Sequence, residues 1–191
     1  MKLIPLILFV LACNFDNFII GISYGIKNIK VTAKSIFIIA LPTFLGTYLS
    51  LAMGNKVFEL LPNNSSNIIS SVLLIGIGSY SLIKNYINKE TINNAEIAQS
   101  YDKDKNGNID AKEAILLGLF LALNNVCIAI GFSTNSYNKM LVSIITSILS
   151  AIGFNVGNSL GKKFKPQTFD YYGNTVSALL IIILGLLEMF F

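Results

Sequence analysis

The sequence predicts an all-α polytopic membrane protein, with six transmembrane helices arranged as two inverted three-helix repeats. Three observations support this fold class: long apolar runs, lysines concentrated in alternate connections, and a match between the two halves of the chain. Of the 191 residues, 53% are hydrophobic and 13% are charged, whereas soluble domains have about 25% charged residues. A soluble bundle is the alternative, but its helices would each keep a polar face, which the apolar runs lack.

Six apolar segments are each long enough to cross the hydrocarbon core, for which a helix needs about 20 residues. The connections between them are short, except for the polar stretch from Lys89 to Lys112. We therefore divide the chain into a first membrane repeat (1–88), a loop (89–113) and a second, inverted repeat (113–191). The spans are predicted at 3–25, 35–54, 67–87, 113–133, 140–160 and 173–190.

The lysines predict the orientation of these spans, because lysine-rich loops stay in the cytoplasm. Eleven lysines lie in the connections after the first, third and fifth spans, and three lie on the opposite side. This distribution predicts a multi-pass plasma-membrane protein with both termini outside and the long loop in the cytoplasm. We expect the first span to remain uncleaved; a cleaved signal peptide is the alternative. The eleven lysines are Lys27, Lys30, Lys34, Lys84, Lys89, Lys103, Lys105, Lys112, Lys162, Lys163 and Lys165, and the three are Lys2, Lys56 and Lys139.

An internal repeat is visible when the two halves are shifted against each other by 107 or 108 residues. Because each repeat contains an odd number of spans, the halves must be inverted in the membrane, an arrangement typical of transporters. An inverted-repeat protein that no longer transports is the alternative. The shift of 107 pairs Gly46 with Gly153, Gly54 with Gly161, Asn67 with Asn174, Ser70 with Ser177 and Gly78 with Gly185, and the shift of 108 pairs Asn17 with Asn125 and sets Asp16 opposite Asn124.

Polar residues lie near the middle of the first and fourth predicted spans. Asp16 lies where a carboxylate costs about 2.5–3.5 kcal/mol on insertion scales. Together with Asn17, Asn124 and Asn125 it predicts an intramembrane site of oxygen ligands, which suit Mg²⁺, Ca²⁺ and Mn²⁺. The alternative is that these side chains hydrogen-bond across helices and fix their packing. Weaker candidates are Thr43, Thr47, Asn155 and Asn158, and Glu188 is expected at the membrane interface.

The most specific motif is Asp102–Glu113, which fully matches the twelve-residue calcium loop of EF-hands. Gly107 at position six permits the sharp turn, and Thr91–Tyr101 is expected to form a short entering helix. We expect Ca²⁺ (or Mn²⁺) to bind here and no organic cofactor; a solvated acidic turn is the alternative. The chain contains a single copy of this loop. The expected ligands are Asp102, Asp104, Asn106, Asn108 through its carbonyl, Asp110 and the bidentate Glu113.

Three segments resemble a known family. Asn14–Phe18, Leu123–Val126 and Asp102–Glu113 are similar to segments of the YtaF-type sporulation membrane proteins, which are themselves similar to the MntP-type manganese efflux pumps. The resemblance covers essentially the whole chain and implies a divalent-cation transporter associated with spore formation. Those pumps have an aspartate where this chain has Asn124, and an acidic residue at about the position of Thr43.

Two functions therefore follow from the sequence. The first is efflux of a divalent cation of the manganese type through the site around Asp16. The second is a non-transporting sporulation membrane protein with a structural or Ca²⁺-responsive role. An enzyme is not expected, since the chain has no histidine and no recognisable nucleophile–base pair or phosphate-binding loop. The expected partners are the lipid bilayer and divalent cations, not nucleic acid, and a homo-oligomer is left open.

Overall fold

The computed structural model describes residues 3–60, 66–87, 101–102, 104, 106–133, 137–163 and 169–190, with the side chains of residues 124, 169–174 and 190 excepted. Over this part of the chain the regular structure is helical, apart from one isolated β-bridge between Lys30 and Asn108. The all-α prediction is therefore confirmed, while most of the expected helix Thr91–Tyr101 lies outside the described residues. The helices are α1 (Leu3–Ile26), α2 (Ala33–Glu59), α3 (Ser66–Ile87), α4 (Ala111–Phe132), α5 (Lys139–Gly161) and α6 (Phe169–Phe190).

Four helices, α1, α2, α3 and α5, are long and apolar enough to cross a membrane. Helix α4 adds a fifth if its two parts, Ala111–Leu123 and Asn125–Phe132, which meet at 42°, cross as one span. In α6 the apolar part runs from Thr175 to Met189. A multi-pass membrane fold is thus confirmed, whereas the count of six spans stays a prediction.

Local sequence signals fix the turn between α1 and α2. Helix α1 closes in a Schellman motif, in which Asn28 adopts a left-handed conformation (φ 57°) that asparagine tolerates. In this motif the Ile29 amide donates to the Tyr24 carbonyl at 3.0 Å. Thr32 then caps α2 by accepting a hydrogen bond from the Ser35 amide at 3.1 Å. The connection is therefore a well-defined turn.

Large apolar side chains cover the outer surface of the helices. Phe37, Met53, Val72 and Leu123 are all largely exposed. Contiguous surface of this kind is rare on soluble monomers, but it is the surface that lipid tails require. The outward side chains therefore agree with a bundle that is embedded in a bilayer.

The helices approach each other closely at small residues. Helix α1 packs most extensively against α5, α2 against α4, and α3 against α6. A methyl group added to Gly157 of α5 would overlap the backbone carbonyl of Phe18, and one added to Gly21 of α1 would overlap that of Phe154. The backbones of α1 and α5 are thus in direct contact, which glycine permits between membrane helices.

Two apolar clusters form the core of the bundle. The first, named the Phe9 cluster, takes buried side chains from all six helices. The second, named the Tyr24 cluster, takes them from α1, α2, α4 and α5 and from the connections before α2 and α4. Members of the Phe9 cluster include Phe9, Leu51, Leu74, Phe132, Val142 and Leu184, and members of the Tyr24 cluster include Tyr24, Ile29, Ile39, Ile109, Leu117 and Phe154.

We expect Gly157→Ala to lower the free energy of unfolding by about 1–3 kcal/mol, the usual cost of overpacking. The matched control is Gly76→Ala in α3, because nothing lies within 4 Å of the position that a methyl group would take there. The better helix propensity of alanine should make the control neutral or stabilising by up to about 1 kcal/mol. Thermal unfolding in detergent measures both variants, and equal midpoints would contradict the close approach of α1 and α5.

Candidate functional site

A polar layer separates the two apolar clusters. Helices α1, α2, α4 and α5 each contribute to the Phe9 cluster toward one end and to the Tyr24 cluster toward the other. Between these contributions each of the four helices has buried polar side chains. Inside a bilayer no water replaces their hydrogen bonds, so each needs a partner in the protein or a ligand. The polar layer consists of Asn14, Asn17, Thr43, Thr47, Ser50, Asn125, Ser143, Thr146 and Ser150.

On one side of the layer, hydrogen bonds join α1 to α5. Asn17 is 1% exposed and donates its amide to Ser150 Oγ at 2.7 Å and to Asn14 Oδ1 at 3.3 Å. Asn14 in turn donates to the Val10 carbonyl at 2.7 Å. These bonds are of the kind that fixes helix packing in membranes, so Asn17 has at least a structural role.

On the side formed by α2 and α4, the polar groups are not all paired. Asn125 is also 1% exposed, yet neither its Oδ1 nor its Nδ2 has a hydrogen-bond partner in the described part of the chain. The Thr47 hydroxyl is likewise buried without one there, whereas Thr43 donates to the Ile39 carbonyl at 3.2 Å. A buried polar group left unpaired costs about 1–3 kcal/mol. Within the described residues, nothing offsets this cost for the Asn125 amide.

The other candidates lie in different environments. Asp16 is half-buried on α1. Asn124 belongs to α4, but its side chain falls outside the described residues. Asn158 is buried and donates to the Ile29 carbonyl at 3.4 Å, while Asn155 is exposed.

The sequence did not predict the burial of several polar residues. Glu188, expected at the membrane interface, is buried at 3% exposed. Partial burial raises the pKa of the neighbouring Tyr137, and the Glu188 carboxylate adds to the rise. Other buried polar residues belong to the polar layer although none was a candidate, namely Asn14, Ser50, Ser143, Thr146 and Ser150. A signal existed for Ser150, since the shift of 107 pairs it with the candidate Thr43.

The cation loop, residues 102–113, forms a turn with converging carboxylates. Gly107 has a φ of 74°, in the left-handed region that glycine adopts without strain. One oxygen from each of Asp102, Asp104 and Glu113 lies within 4.8 Å of the other two. Ca²⁺ binds oxygens at 2.3–2.6 Å, so ligands on opposite sides of the ion are about 5 Å apart. The three carboxylates therefore fit around one ion of this size.

Asp102 gives this loop a buried oxygen that has no hydrogen-bond partner among the described residues. The residue is 5% exposed, and its Oδ2 accepts from the Gly107 amide at 3.1 Å, while its Oδ1 is unpaired within the described residues. Glu113 Oε2 accepts from the Asp110 amide at 3.1 Å, which closes the first turn of α4. Buried carboxylate oxygens are found where they are paired or coordinate a metal, so the donor set fits a cation. The other expected ligands, Asp104, Asn106, Asn108 and Asp110, are exposed.

Comparison with known proteins places these features in context. Residues 1–83 match the protein family described as "Mntp: Putative manganese efflux pump". The chain resembles the manganese efflux pumps. The matched part contains Asp16 and Asn17 and ends before the cation loop. The predicted resemblance is confirmed, and the description of the pump family is that of a transporter, not of an enzyme.

A relative supports the second part of the predicted resemblance. The "Probable sporulation protein YtaF" of Bacillus subtilis (strain 168) is 27% identical over 187 residues, covering 85% of this chain and 89% of the relative. No solved structure matches the chain. The protein is thus a multi-pass membrane protein similar to manganese efflux pumps and to a protein named for sporulation.

We expect Asn17→Leu to destabilise the protein by about 0.6 kcal/mol and at most about 1.7 kcal/mol, the average and the maximum measured for hydrogen bonds between membrane helices. Asn125→Leu should be neutral or stabilising, because it removes two unpaired polar atoms from a side chain of similar size. Thermal unfolding in detergent without added divalent cation compares the two variants. An equal loss at Asn125 would reveal a structural partner for its amide and contradict the difference between the two sides of the layer.

Proposed function

We propose that this protein transports a divalent cation of the manganese type across the membrane, and that the polar layer contains the binding site. The proposal depends on the buried amide of Asn125, which has no hydrogen-bond partner in the part of the chain that the structure describes. In a low-dielectric interior such an amide is costly unless a ligand pairs with it. The match of residues 1–83 to the manganese efflux pumps supports a cation as that ligand.

The transported cation would be held by oxygens from α1 and α4. Asp16 supplies the negative charge, and Asn17, Asn124 and Asn125 supply amide oxygens. Carboxylate and carbonyl oxygens are ligands that suit Mn²⁺. The bond from Asn17 to Ser150 holds that amide in one orientation, so part of the site is organised before the cation arrives.

In this proposal the two halves are inverted repeats of three spans each. Close contacts of glycines support this arrangement, because contacts in one half of the chain have equivalents in the other half, related by sequence shifts of 107 and 108 residues. Gly161 faces the backbone of Ile22, and the equivalent Gly54 faces that of Ile130. The pairing of α1 with α5 is likewise equivalent to that of α4 with α2. The contact of Gly153 with Asn14 is equivalent to that of Gly46 with Ala122. The contact of Gly185 with Ile75 is likewise equivalent to that of Gly78 with Ile182.

The lysine distribution supports an orientation with both termini outside and the cation loop in the cytoplasm. The Tyr24 cluster then lies toward the cytoplasm and the Phe9 cluster toward the outside. The polar layer lies between them, near the bilayer midplane, where transporters of the inverted-repeat type bind their substrates. Two lysines that contribute to this orientation, Lys103 and Lys105, lie outside the described residues.

The cation loop is a second site in this proposal, and it binds Ca²⁺ (or Mn²⁺). Its support is the convergence of Asp102, Asp104 and Glu113 and the unpaired Asp102 Oδ1. Asn106, the Asn108 carbonyl and Asp110 would complete the ligand set. Glu113 also lies in the first turn of α4, where a negative charge stabilises the helix.

A non-transporting sporulation membrane protein with a structural or Ca²⁺-responsive role is the second candidate. The name of the Bacillus subtilis relative favours it. So does the bond between Asn17 and Ser150, which a purely structural polar layer would also contain. The manganese pumps that this chain resembles have an aspartate at the position of Asn124. This chain therefore has less negative charge available to bind a cation.

Asp16→Asn should abolish manganese tolerance in cells that rely on this protein for export, because it removes the charge that attracts the ion. The matched control is Glu59→Gln at the end of α2, where the carboxylate is exposed and bonded to Asn55. Growth at graded Mn²⁺ is compared at equal amounts of inserted protein. Unchanged tolerance of Asp16→Asn would exclude Asp16 from the site. Asn124→Asp should strengthen Mn²⁺ binding by adding a charge.

Tb³⁺, which substitutes for Ca²⁺ in loops of this type, should luminesce when excited through tyrosine, since Tyr101 directly precedes Asp102. Added Ca²⁺ should displace it. Glu113→Gln should weaken Tb³⁺ binding by more than about tenfold, because it removes the bidentate carboxylate. Glu59→Gln serves again as the control. Equal titration curves for wild type and Glu113→Gln would refute the cation loop.

A further inference from the structure

The cation loop is docked on the turn between α1 and α2. Lys30 pairs with Asn108 in a parallel β-bridge. The Lys30 amide donates to the Gly107 carbonyl at 2.8 Å, and its carbonyl accepts from the Ile109 amide at 3.1 Å. Main-chain bonds of this kind are those by which an added strand extends an exposed edge. The turn therefore covers the edge of the loop.

Side chains reinforce this docking. Ser35 Oγ, in the first turn of α2, donates to the Ile109 carbonyl at 2.7 Å. The Thr32 hydroxyl oxygen lies 2.8 Å from Ser35 Oγ, which restricts the serine rotamer. Ile109 and Ile29 are both buried in the Tyr24 cluster. Residue eight of the cation loop is thus part of the core of the bundle.

The same place joins all four helices that form the polar layer. Helix α1 ends and α2 begins at the turn, and α4 begins inside the cation loop. Asn158, near the end of α5, donates to the Ile29 carbonyl at 3.4 Å. The loop is therefore connected, directly or through the turn, to the ends of α1, α2, α4 and α5.

We propose that the α1–α2 turn acts as the partner strand of the cation loop, and that a bound divalent cation stabilises the contacts between the ends of these four helices. This inference rests on the proposed cation binding of the loop. Without an ion, repulsion among Asp102, Asp104 and Glu113 opposes the docked geometry. An ion removes that repulsion. The chain contains a single copy of the loop, so the turn, and not a second loop, provides the partner strand.

Cation binding and docking are then thermodynamically linked: the factor by which a bound ion favours docking equals the factor by which docking raises cation affinity, so a change that weakens docking also lowers that affinity. Ser35→Ala removes one bond of the docked state without altering a ligand. It should weaken Ca²⁺ binding by about threefold to tenfold, the equivalent of one hydrogen bond. The matched control is Ser147→Ala, which removes a bond to the Ala40 carbonyl at 2.9 Å, between α5 and α2. The control should leave the affinity unchanged.

Hydrogen exchange of the full-length protein in nanodiscs, with and without Ca²⁺, distinguishes this inference from the proposed cation site. We expect Ca²⁺ to slow exchange in residues 102–113 and also at Lys30, and Ser35→Ala to reduce the effect at Lys30. Protection confined to 102–113, with equal Ca²⁺ affinity in Ser35→Ala and wild type, would overturn the docking and leave the cation site standing. No protection in the wild type would overturn both.

Discussion

The structure depends on one physical constraint: inside a bilayer, a polar side chain can pair only with protein atoms or with a bound ligand. Four helices place polar residues at the same level, between two apolar clusters. On the side of α1 and α5, Asn17 satisfies the constraint through Ser150. On the side of α2 and α4, Asn125 does not satisfy it within the described residues. This difference between the two asparagines is the basis for proposing a packing role for Asn17 and a binding role for Asn125.

Close helix packing is what brings these polar groups to one level. Backbone contact at Gly157 and Gly21 fixes the register of α1 against α5, so the depth of Asn17 relative to Ser150 follows from glycine positions. The turn at Lys30 and the cation loop then join the ends of the same helices. Local capping, helix packing, the polar layer and the cation loop therefore involve the same helices. We expect a structural change in one of them to alter the others.

Much of this could be predicted from the sequence, because the signals are local. Apolar run length predicted the membrane helices, and the spacing of Asp102, Gly107 and Glu113 predicted the turn and its converging carboxylates. The pairing of Asn17 with Ser150 and the bridge from Lys30 to Asn108 could not be predicted in this way. Both join residues far apart in the sequence, and which partners meet is decided by the packing of whole helices. The burial of Glu188 was missed for the same reason, since position near a helix end says little about which face is covered.

Transport through the polar layer is tested most directly by flux into proteoliposomes that contain the purified protein. Mn²⁺, Ca²⁺ and Mg²⁺ are compared in parallel, with protein-free liposomes as the reference. We predict saturable flux that is fastest for Mn²⁺, since the proposed site offers the carboxylate of Asp16 and several amide oxygens near the middle of the membrane. Rates for all three ions equal to those of protein-free liposomes, from correctly folded and inserted protein, would contradict transport and leave the structural role.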